Sequence, residues 1–313
     1  MERIESPVYR RLGNSGLVVP SVGIGCNNLG RPGTPTRTQE GTNEVIAAAV
    51  DAGISFFDIA DLYGAEPGLS ETMFGTALTQ LGLDRDELTI VTKFGLPVGD
   101  LNGNDRNARG SRRYIMRAVE GSLRRLGTDY IDLLLVHQPF GDYYGTYRAM
   151  EKALAAGKVR AIGVSNFFPD RFVDLAQHVE VPPAVNQMET HVFNQQADNR
   201  AWYAKYDTAL ESWGPLAQGR NNIFTHPVLT AVGEKHGKTA AQVALRYLIQ
   251  LDIIVIPKTV HRERMVTNLD VTDFQLDDAD MRTIAALDEG QGVVNHYDPA
   301  FQERLASYTV EAD

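Results

Sequence analysis

The sequence predicts an α/β protein folded as a (β/α)8 TIM barrel with an N-terminal β-hairpin. Eight short apolar runs recur along the 313 residues, and helix-like stretches separate most of them. Some of these stretches end at a glycine just before the next apolar run. Strand and helix in alternation are typical of a parallel sheet. Eight such units favour a closed barrel over an open doubly wound sheet, which remains the alternative.

The hairpin is the first predicted element. The segment YRRLGNSGLVVP alternates in polarity and turns at residues 13–16, which is typical of two short antiparallel strands. The barrel strands are predicted at about 22–25, 54–58, 89–92, 131–136, 161–165, 184–187, 208–212 and 253–257.

The helices between these strands carry start and stop signals. Apolar residues at helical spacing predict a helix between 111 and 127. Thr239 with Gln242 fits a capping box at the start of another helix. Gly53 and Gly157 follow helical runs and precede strands, so we expect each of them to end a helix.

Composition and charge limit the partners. The net charge of -10 argues against nucleic acid and acidic membrane surfaces, which attract basic faces. A single cysteine, Cys26, excludes an internal disulfide, and the first residues lack the apolar region of a secretory signal. No apolar run approaches the roughly 20 residues that cross a bilayer. We expect a cytoplasmic protein with residues 1–313 in one domain; its oligomeric state is unknown.

Two kinds of chemistry are disfavoured by the absence of their motifs. The seven histidines show no H-x-H or H-E-x-x-H spacing, and one cysteine cannot build a thiolate site, so no metal site is predicted. The chain also lacks the G-x-S-x-G of a nucleophile elbow and a G-x-G-x-x-G fingerprint.

Polar side chains follow the predicted strands where a barrel places its chemistry. Taken singly, each is more often a solvated cap or a hydrogen-bonded core group. Their coincidence at one predicted face indicates a functional site, whereas Asp61 is expected in a loop or behind the site. The strand-end residues are Asp58, Lys93, His137, Ser165, Asn166, Gln187, Trp213, Lys258 and Thr259.

Aspartate, tyrosine, lysine and histidine side chains at one site are suited to transfer a proton to a carbonyl oxygen. Tyr63 would be the acid, and the ammonium of Lys93 is expected to lower its pKa. The Asp58 carboxylate would hold the lysine in place. A neutral His137 would donate a hydrogen bond to the carbonyl oxygen and orient it.

In these residues the sequence resembles the aldo-keto reductases, which are NADPH-dependent (β/α)8-barrel enzymes. Asp58 and Tyr63 in FFDIADLYG, Lys93 in VTKF and His137 in LLLVHQP line up with the catalytic tetrad of that family. The match runs from about residue 9 to residue 299. It implies reduction of a small aldehyde or ketone to an alcohol, with NADPH/NADP+ as the cofactor.

The same resemblance implies a nicotinamide site. Ser165, Asn166 and Gln187 resemble the groups that hold the carboxamide. Trp213 takes the place of the aromatic ring on which the nicotinamide stacks, a position where tyrosine is commoner.

Two further segments resemble the phosphate and adenine contacts of the family. In GPLAQG, the residues Gly214, Leu216 and Gln218 resemble the loop over the pyrophosphate. In IPKTVHRERMVTN, the residues that resemble the 2'-phosphate clamp are Lys258, Thr259 and Arg264, and Asn268 resembles an adenine contact. Two cations beside a phosphate monoester predict NADPH over NADH.

The two parts of the chain resemble different branches of the family. Up to about Val136 the chain resembles the branch of channel β-subunits and related bacterial reductases, and from QPFGDYYGTYRAM onward the branch of diketogluconate reductases. We therefore hypothesise a hybrid joined near His137.

The lining of the substrate pocket is predicted from loops on both sides of that position. We expect it to come from Asn27 and Asn28, the 95–110 loop, Tyr143 and Tyr144, and the tail around His296 and Tyr297. Aromatic and amide side chains suit small aldehydes, ketones or sugar-derived carbonyls.

Three alternatives stay open at this point. The channel β-subunit resemblance allows a cofactor-bound docking protein, and a hybrid barrel allows NADPH binding with little turnover. A barrel enzyme of another class would use Lys93 as a Schiff-base amine and Lys258 on a substrate phosphate.

Overall fold

A closed barrel of eight parallel strands forms the centre of the protein. The structure is a computed structural model that describes residues 8–96, 98, 101–102 and 112–306. The strands pair in chain order, and a parallel bridge between Val22 and Val255 joins the first to the last. The strands are β3 Ile24–Gly25, β4 Phe56–Asp58, β5 Thr89–Phe94, β6 Ile131–Val136, β7 Val159–Ser165, β8 Val185–Glu189, β9 Ala209–Trp213 and β10 Ile254–Val255. The predicted (β/α)8 barrel is confirmed.

Helices follow the strands and cover the outside of the barrel. Their bounds are α1 Gln39–Ala52, α2 Leu69–Leu81, α3 Arg112–Leu126, α4 Tyr143–Ala155, α5 Pro169–Gln177, α6 Ala197–Ala204, α7 Pro227–His236, α8 Ala240–Gln250, α9 Arg262–Leu269, α10 Asp278–Ala285 and α11 Pro299–Ala306. The apolar layer between these helices and the strands contains most of the core. In the part of the chain that the structure describes, no helix combines the length and apolar character that spanning a bilayer requires.

The predicted helix signals lie close to the observed helix ends. Thr239 and Gln242 form both hydrogen bonds of a capping box at the start of α8. Gly53 ends α1 in the left-handed conformation, with φ of 98°. Gly157 has φ of 72° and lies two residues beyond Ala155, the last residue of α4.

The predicted hairpin closes the amino-terminal end of the barrel. Strand β1, Tyr9–Arg11, pairs antiparallel with β2, Val18–Pro20. Leu12 and Val19 belong to the same buried cluster as Phe56 inside the barrel. The hairpin therefore seals the end of the barrel opposite the carboxyl ends of the strands.

Strand alternation decides which residues point into the barrel. Phe56 belongs to the inner cluster, whereas its neighbour Phe57 packs in the layer under the helices. Because side chains alternate along a strand, Asp58 points inward like Phe56. The same spacing places Lys93 above the inner residue Val91. Apolar side chains thus fill the lower barrel, and polar groups occupy its carboxyl end.

Candidate active site

A cavity of about 770 Å³ opens at the carboxyl ends of the strands. Lys93 lies beneath its floor, and Thr259, Arg264 and Asn268 lie outside its lining. The predicted site residues that line the cavity are Asp58, Tyr63, His137, Ser165, Asn166, Gln187, Trp213, Gly214, Leu216, Gln218 and Lys258. The fold therefore brings most of the predicted residues to one place.

The floor of the cavity is organised around the ammonium group of Lys93, which is 1% exposed. Its Nζ donates to Asp58 Oδ1 at 2.6 Å and to the carbonyl oxygen of Ile59 at 3.0 Å. A third hydrogen bond reaches the hydroxyl of Tyr63 at 3.3 Å. An ammonium has three donors, so these contacts use all of them and aim the charge at the phenol.

Lys93 stays protonated in this environment. Burial alone would lower the pKa of the lysine, but the charge of Asp58 and the hydrogen bond to it raise that pKa above its ordinary value. Schiff-base chemistry needs a neutral amine as the nucleophile. The geometry therefore disfavours the alternative in which Lys93 attacks a carbonyl carbon.

Tyr63 also keeps its proton at neutral pH. The sequence predicted a lowered pKa for Tyr63, and the charge of Lys93 does act in that direction. Burial of the phenol outweighs this effect, so the pKa of Tyr63 is raised above 10.0. The expected net lowering was wrong because the sequence does not show how the surrounding residues partly bury the phenol.

His137 stands beside this phenol as a neutral imidazole. The rings of Tyr63 and His137 meet edge to face, with centroids 5.8 Å apart. Burial and the nearby charge of Lys93 lower the pKa of His137 well below 6.5. Its Nδ1 is buried and has no hydrogen-bond partner among the described residues. A neutral ring beside the phenol can donate one hydrogen bond to a carbonyl oxygen.

A chain of hydrogen bonds fixes the next wall of the cavity. Ser165 Oγ donates to the carbonyl oxygen of Gln187 at 2.9 Å. Asn166 Nδ2 donates to Ser165 Oγ at 3.0 Å and to the carbonyl oxygen of His137 at 3.1 Å. Trp213 Nε1 donates to Asn166 Oδ1 at 2.9 Å. These side chains are therefore held in position before any ligand binds.

Glu211 is a residue of the site that the sequence analysis missed. The Nε2 group of Gln187 donates to Asp58 Oδ2 at 2.9 Å and to Glu211 Oε1 at 2.8 Å. Glu211 is fully buried in strand β9. Its position, two residues before the cavity-lining Trp213, was the available signal, because residues two apart in a strand share a face.

Two cations lie at the mouth of the cavity. Lys258 and Arg31 both line it, and burial together with the charge of Arg31 lowers the pKa of Lys258. The loop of residues 214–219 forms the adjoining wall, and Ala217 and Gln218 in it have φ of 48° and 52°. Arg31 was also missed; its signal was a cation in the loop after the first barrel strand.

The remaining predicted cofactor residues lie beyond the cavity. The hydroxyl of Thr259 accepts the backbone N–H of His261 at 3.1 Å, just before α9. Within α9, Arg264 is exposed and Asn268 is buried. Their roles toward a phosphate and an adenine stay predictions.

The predicted substrate loops contribute unequally. Asn27, Leu96 and His296 line the cavity. Asn28 is buried outside the lining, and the exposed Tyr297 packs beside Phe168. Within the predicted 95–110 loop, residues 97, 99–100 and 103–110 lie outside the described residues.

Tyr143 and Tyr144 do not reach the cavity, so their predicted place in its lining was wrong. Their rings stack on each other with centroids 4.9 Å apart, and Tyr143 also meets Phe167 edge-on. The hydroxyl of Tyr144 hydrogen-bonds to Asp174 on α5. Both tyrosines belong to the start of α4, which turns them toward the neighbouring helix.

Asp61 lies behind the site. Its carboxyl is fully buried, and neither oxygen has a hydrogen-bond partner among the described residues. Burial and the charge of Glu71 raise its pKa well above 3.8. Across the described ranges, no group of three or more His, Cys, Asp or Glu side chains is arranged to hold a metal ion.

Comparison with known proteins identifies relatives of this chain. The model of the aldo/keto reductase family matches residues 21–289. An aldo-keto reductase from Mycobacterium sp. (strain KMS) is 38% identical over 280 residues, which cover 88% of this chain and 92% of that protein. A morphine 6-dehydrogenase from Pseudomonas putida is 35% identical over 291 residues, covering 88% and 90%.

A solved structure shows the same fold. An aldo-keto reductase of the silkworm, complexed with NADPH, shares 29% identity and a TM-score of 0.82. The alignment covers 97% of this chain and 93% of that one. These matches extend across His137, and the hypothesis of a hybrid stays a prediction to be tested with each half separately.

Proposed function

The chain belongs to the aldo/keto reductase family, and on that premise we propose that it reduces small aldehydes or ketones to alcohols with NADPH. One observation carries the proposal. Lys93 Nζ lies between Asp58 Oδ1 at 2.6 Å and the hydroxyl of Tyr63 at 3.3 Å, at the floor of an open cavity. A protonated phenol beside a fixed ammonium is suited to deliver a proton to a carbonyl oxygen.

Each of the four residues has a distinct task in this proposal. Tyr63 gives its proton to the carbonyl oxygen as negative charge develops there. Lys93 stabilises the phenolate that is left behind, and Asp58 keeps the lysine charged and in place. A ring N–H of neutral His137 holds the same carbonyl oxygen in the reactive orientation.

The residues of the cavity fit a nicotinamide cofactor. Ser165, Asn166 and Gln187 offer hydroxyl and amide groups beside the aromatic ring of Trp213, on which a flat ring can stack. The two cations at the mouth, Lys258 and Arg31, suit phosphate groups. NADPH, when bound, would supply the hydride that reduces the carbonyl carbon.

The NADPH complex of the silkworm relative supports this choice of cofactor. In this chain the preference over NADH would come from Lys258, with Thr259 and Arg264 as further contacts to the 2'-phosphate. Asn268 would contact the adenine. The loop with Gly214, Leu216 and Gln218 would cover the pyrophosphate.

The test is the consumption of NADPH with a reactive aromatic aldehyde such as 4-nitrobenzaldehyde, comparing the wild-type protein with Tyr63→Phe. A general acid contributes roughly 10²–10⁴-fold to the rate, so kcat should fall by about that factor. The Kd for NADPH, measured from quenching of tryptophan fluorescence, should stay within about twofold of wild type, because Phe keeps the ring. Comparable turnover in both proteins would refute the assignment of Tyr63.

A further inference from the structure

Glu211 is connected through Gln187, in the wall of the cavity, to Asp58 at its floor. It pairs in register with Gln187 across strands β8 and β9. Its Oε1 accepts from Gln187 Nε2 at 2.8 Å, and its Oε2 is buried with no partner among the described residues. Replacing both partners of a buried hydrogen bond by apolar groups of the same shape can be nearly neutral or stabilising. Core packing alone therefore does not account for this residue.

The amide of Gln187 is fixed by this contact. A side-chain amide nitrogen carries two hydrogens. In Gln187 one of them goes to Asp58 Oδ2 at 2.9 Å and the other to Glu211 Oε1. The opposite orientation of the amide would turn its carbonyl oxygen toward the Asp58 carboxylate, which can only accept hydrogen bonds. The carbonyl oxygen is therefore the part of the amide left for a ligand in the cavity.

The same contact reaches the proton-transfer residues. Asp58 divides its two oxygens between Lys93, at 2.6 Å, and Gln187, at 2.9 Å. The four side chains Glu211, Gln187, Asp58 and Lys93 form one buried chain of hydrogen bonds that ends at Tyr63. The charges of Asp58 on β4 and Lys93 on β5 act on Glu211, and the amide of Gln187 on β8 donates to it.

We propose that Glu211 is a positioning residue that orients the Gln187 amide, so that its carbonyl oxygen receives the carboxamide NH₂ of the bound nicotinamide. This inference rests on the proposed function. It predicts that the protein distinguishes NADPH from an analogue that lacks this NH₂. The reduced 3-acetylpyridine analogue of NADPH carries a methyl group in its place.

The first experiment measures the Kd of both dinucleotides by fluorescence quenching. The wild-type protein should prefer NADPH by roughly tenfold, the size of one hydrogen bond. In Glu211→Leu one hydrogen of the Gln187 amide loses its acceptor and only Asp58 still holds the amide, so the preference should shrink to about twofold or less. Glu211→Gln keeps an acceptor at the same place and should restore the preference.

The matched control is Glu151→Gln on helix α4. Glu151 is also buried and accepts the backbone N–H groups of Glu180 and Val181 at 2.8 and 2.9 Å, away from the cavity. The Glu151→Gln variant should prefer NADPH over the 3-acetylpyridine analogue as strongly as the wild-type protein does. An unchanged preference in a folded Glu211→Leu protein would overturn the inference and leave the proposed function intact. A wild-type protein that binds neither dinucleotide would overturn both.

A second measurement needs no variant at Glu211. With the side-chain amide of Gln187 assigned by NMR, both of its hydrogens should be protected from exchange with water in the wild-type protein, because each is committed to a buried carboxyl. Fast exchange of either hydrogen would contradict the proposed orientation, whether or not Glu211→Leu folds.

Discussion

The ammonium of Lys93 lies 2.6 Å from Asp58 Oδ1, and both side chains are buried at the floor of the cavity. Removing one partner of such a pair leaves an uncompensated charge in a buried site. The pair therefore links the stability of the barrel to the proposed proton transfer, because the same lysine is hydrogen-bonded to Tyr63.

We expect Asp58→Asn to lower the free energy of unfolding by about 3–5 kcal/mol, since Lys93 would keep its burial and lose its counter-charge. Urea denaturation measures this change. The control is Asp252→Asn, which breaks a pair of 3.1 Å between Arg10 and an aspartate whose side chain is 81% exposed. The control should change stability by less than about 1 kcal/mol. Similar decreases in the free energy of unfolding for both variants would show that burial does not determine the effect of losing the counter-charge.

The pH dependence of the two reaction directions should differ. Burial raises the pKa of Tyr63, so the phenol keeps its proton through the neutral and mildly alkaline range. Reduction uses the protonated form, and its kcat should stay level between about pH 6 and pH 9. Oxidation of an alcohol uses the deprotonated form and should speed up as the pH rises. A steep fall of the reduction rate above neutral pH would show that Tyr63 ionises more easily.

Glu211 should make the protein less stable as the pH rises. Burial and the charge of Asp58 raise the pKa of its carboxyl from 4.5 to about 8. Between these values the unfolded chain has lost the proton that the folded protein retains. The free energy of unfolding therefore falls as pH rises through this window, by on the order of 1 kcal/mol per pH unit. Glu211→Gln should flatten this slope in urea denaturation between pH 5 and 8, and an unchanged slope would contradict it.

Lys258 should determine part of the cofactor preference. We expect Lys258→Met to weaken binding of NADPH by about tenfold or more, the size of a charge-assisted hydrogen bond, and to leave binding of NADH nearly unchanged. Fluorescence quenching with both dinucleotides measures this. Lys152→Met, at an exposed position of α4, serves as the control. Equal losses for NADPH and NADH would place Lys258 on a phosphate that both cofactors share.

Much of the fold was predictable because local patterns in this chain agree with the tertiary structure. Strand β6, Ile131–Val136, has the bounds predicted for it, and the capping box of Thr239 and Gln242 is present. The short strand β3 is one place where the observed bounds differ from the predicted ones. It was predicted from residue 22 and begins at Ile24, with Val22 contributing only a bridge.

The sequence by itself determined the barrel and the strand ends that carry Asp58, Lys93, His137 and Gln187, since apolar runs of fixed period and the residues after them are local features. Only the tertiary structure decided which groups touch. It brought Glu211 Oε1 to 2.8 Å from Gln187 Nε2, turned Tyr143 away from the cavity and partly buried Tyr63, which raises the pKa of its phenol. Contact and burial depend on segments distant in the chain, and no local pattern encodes them.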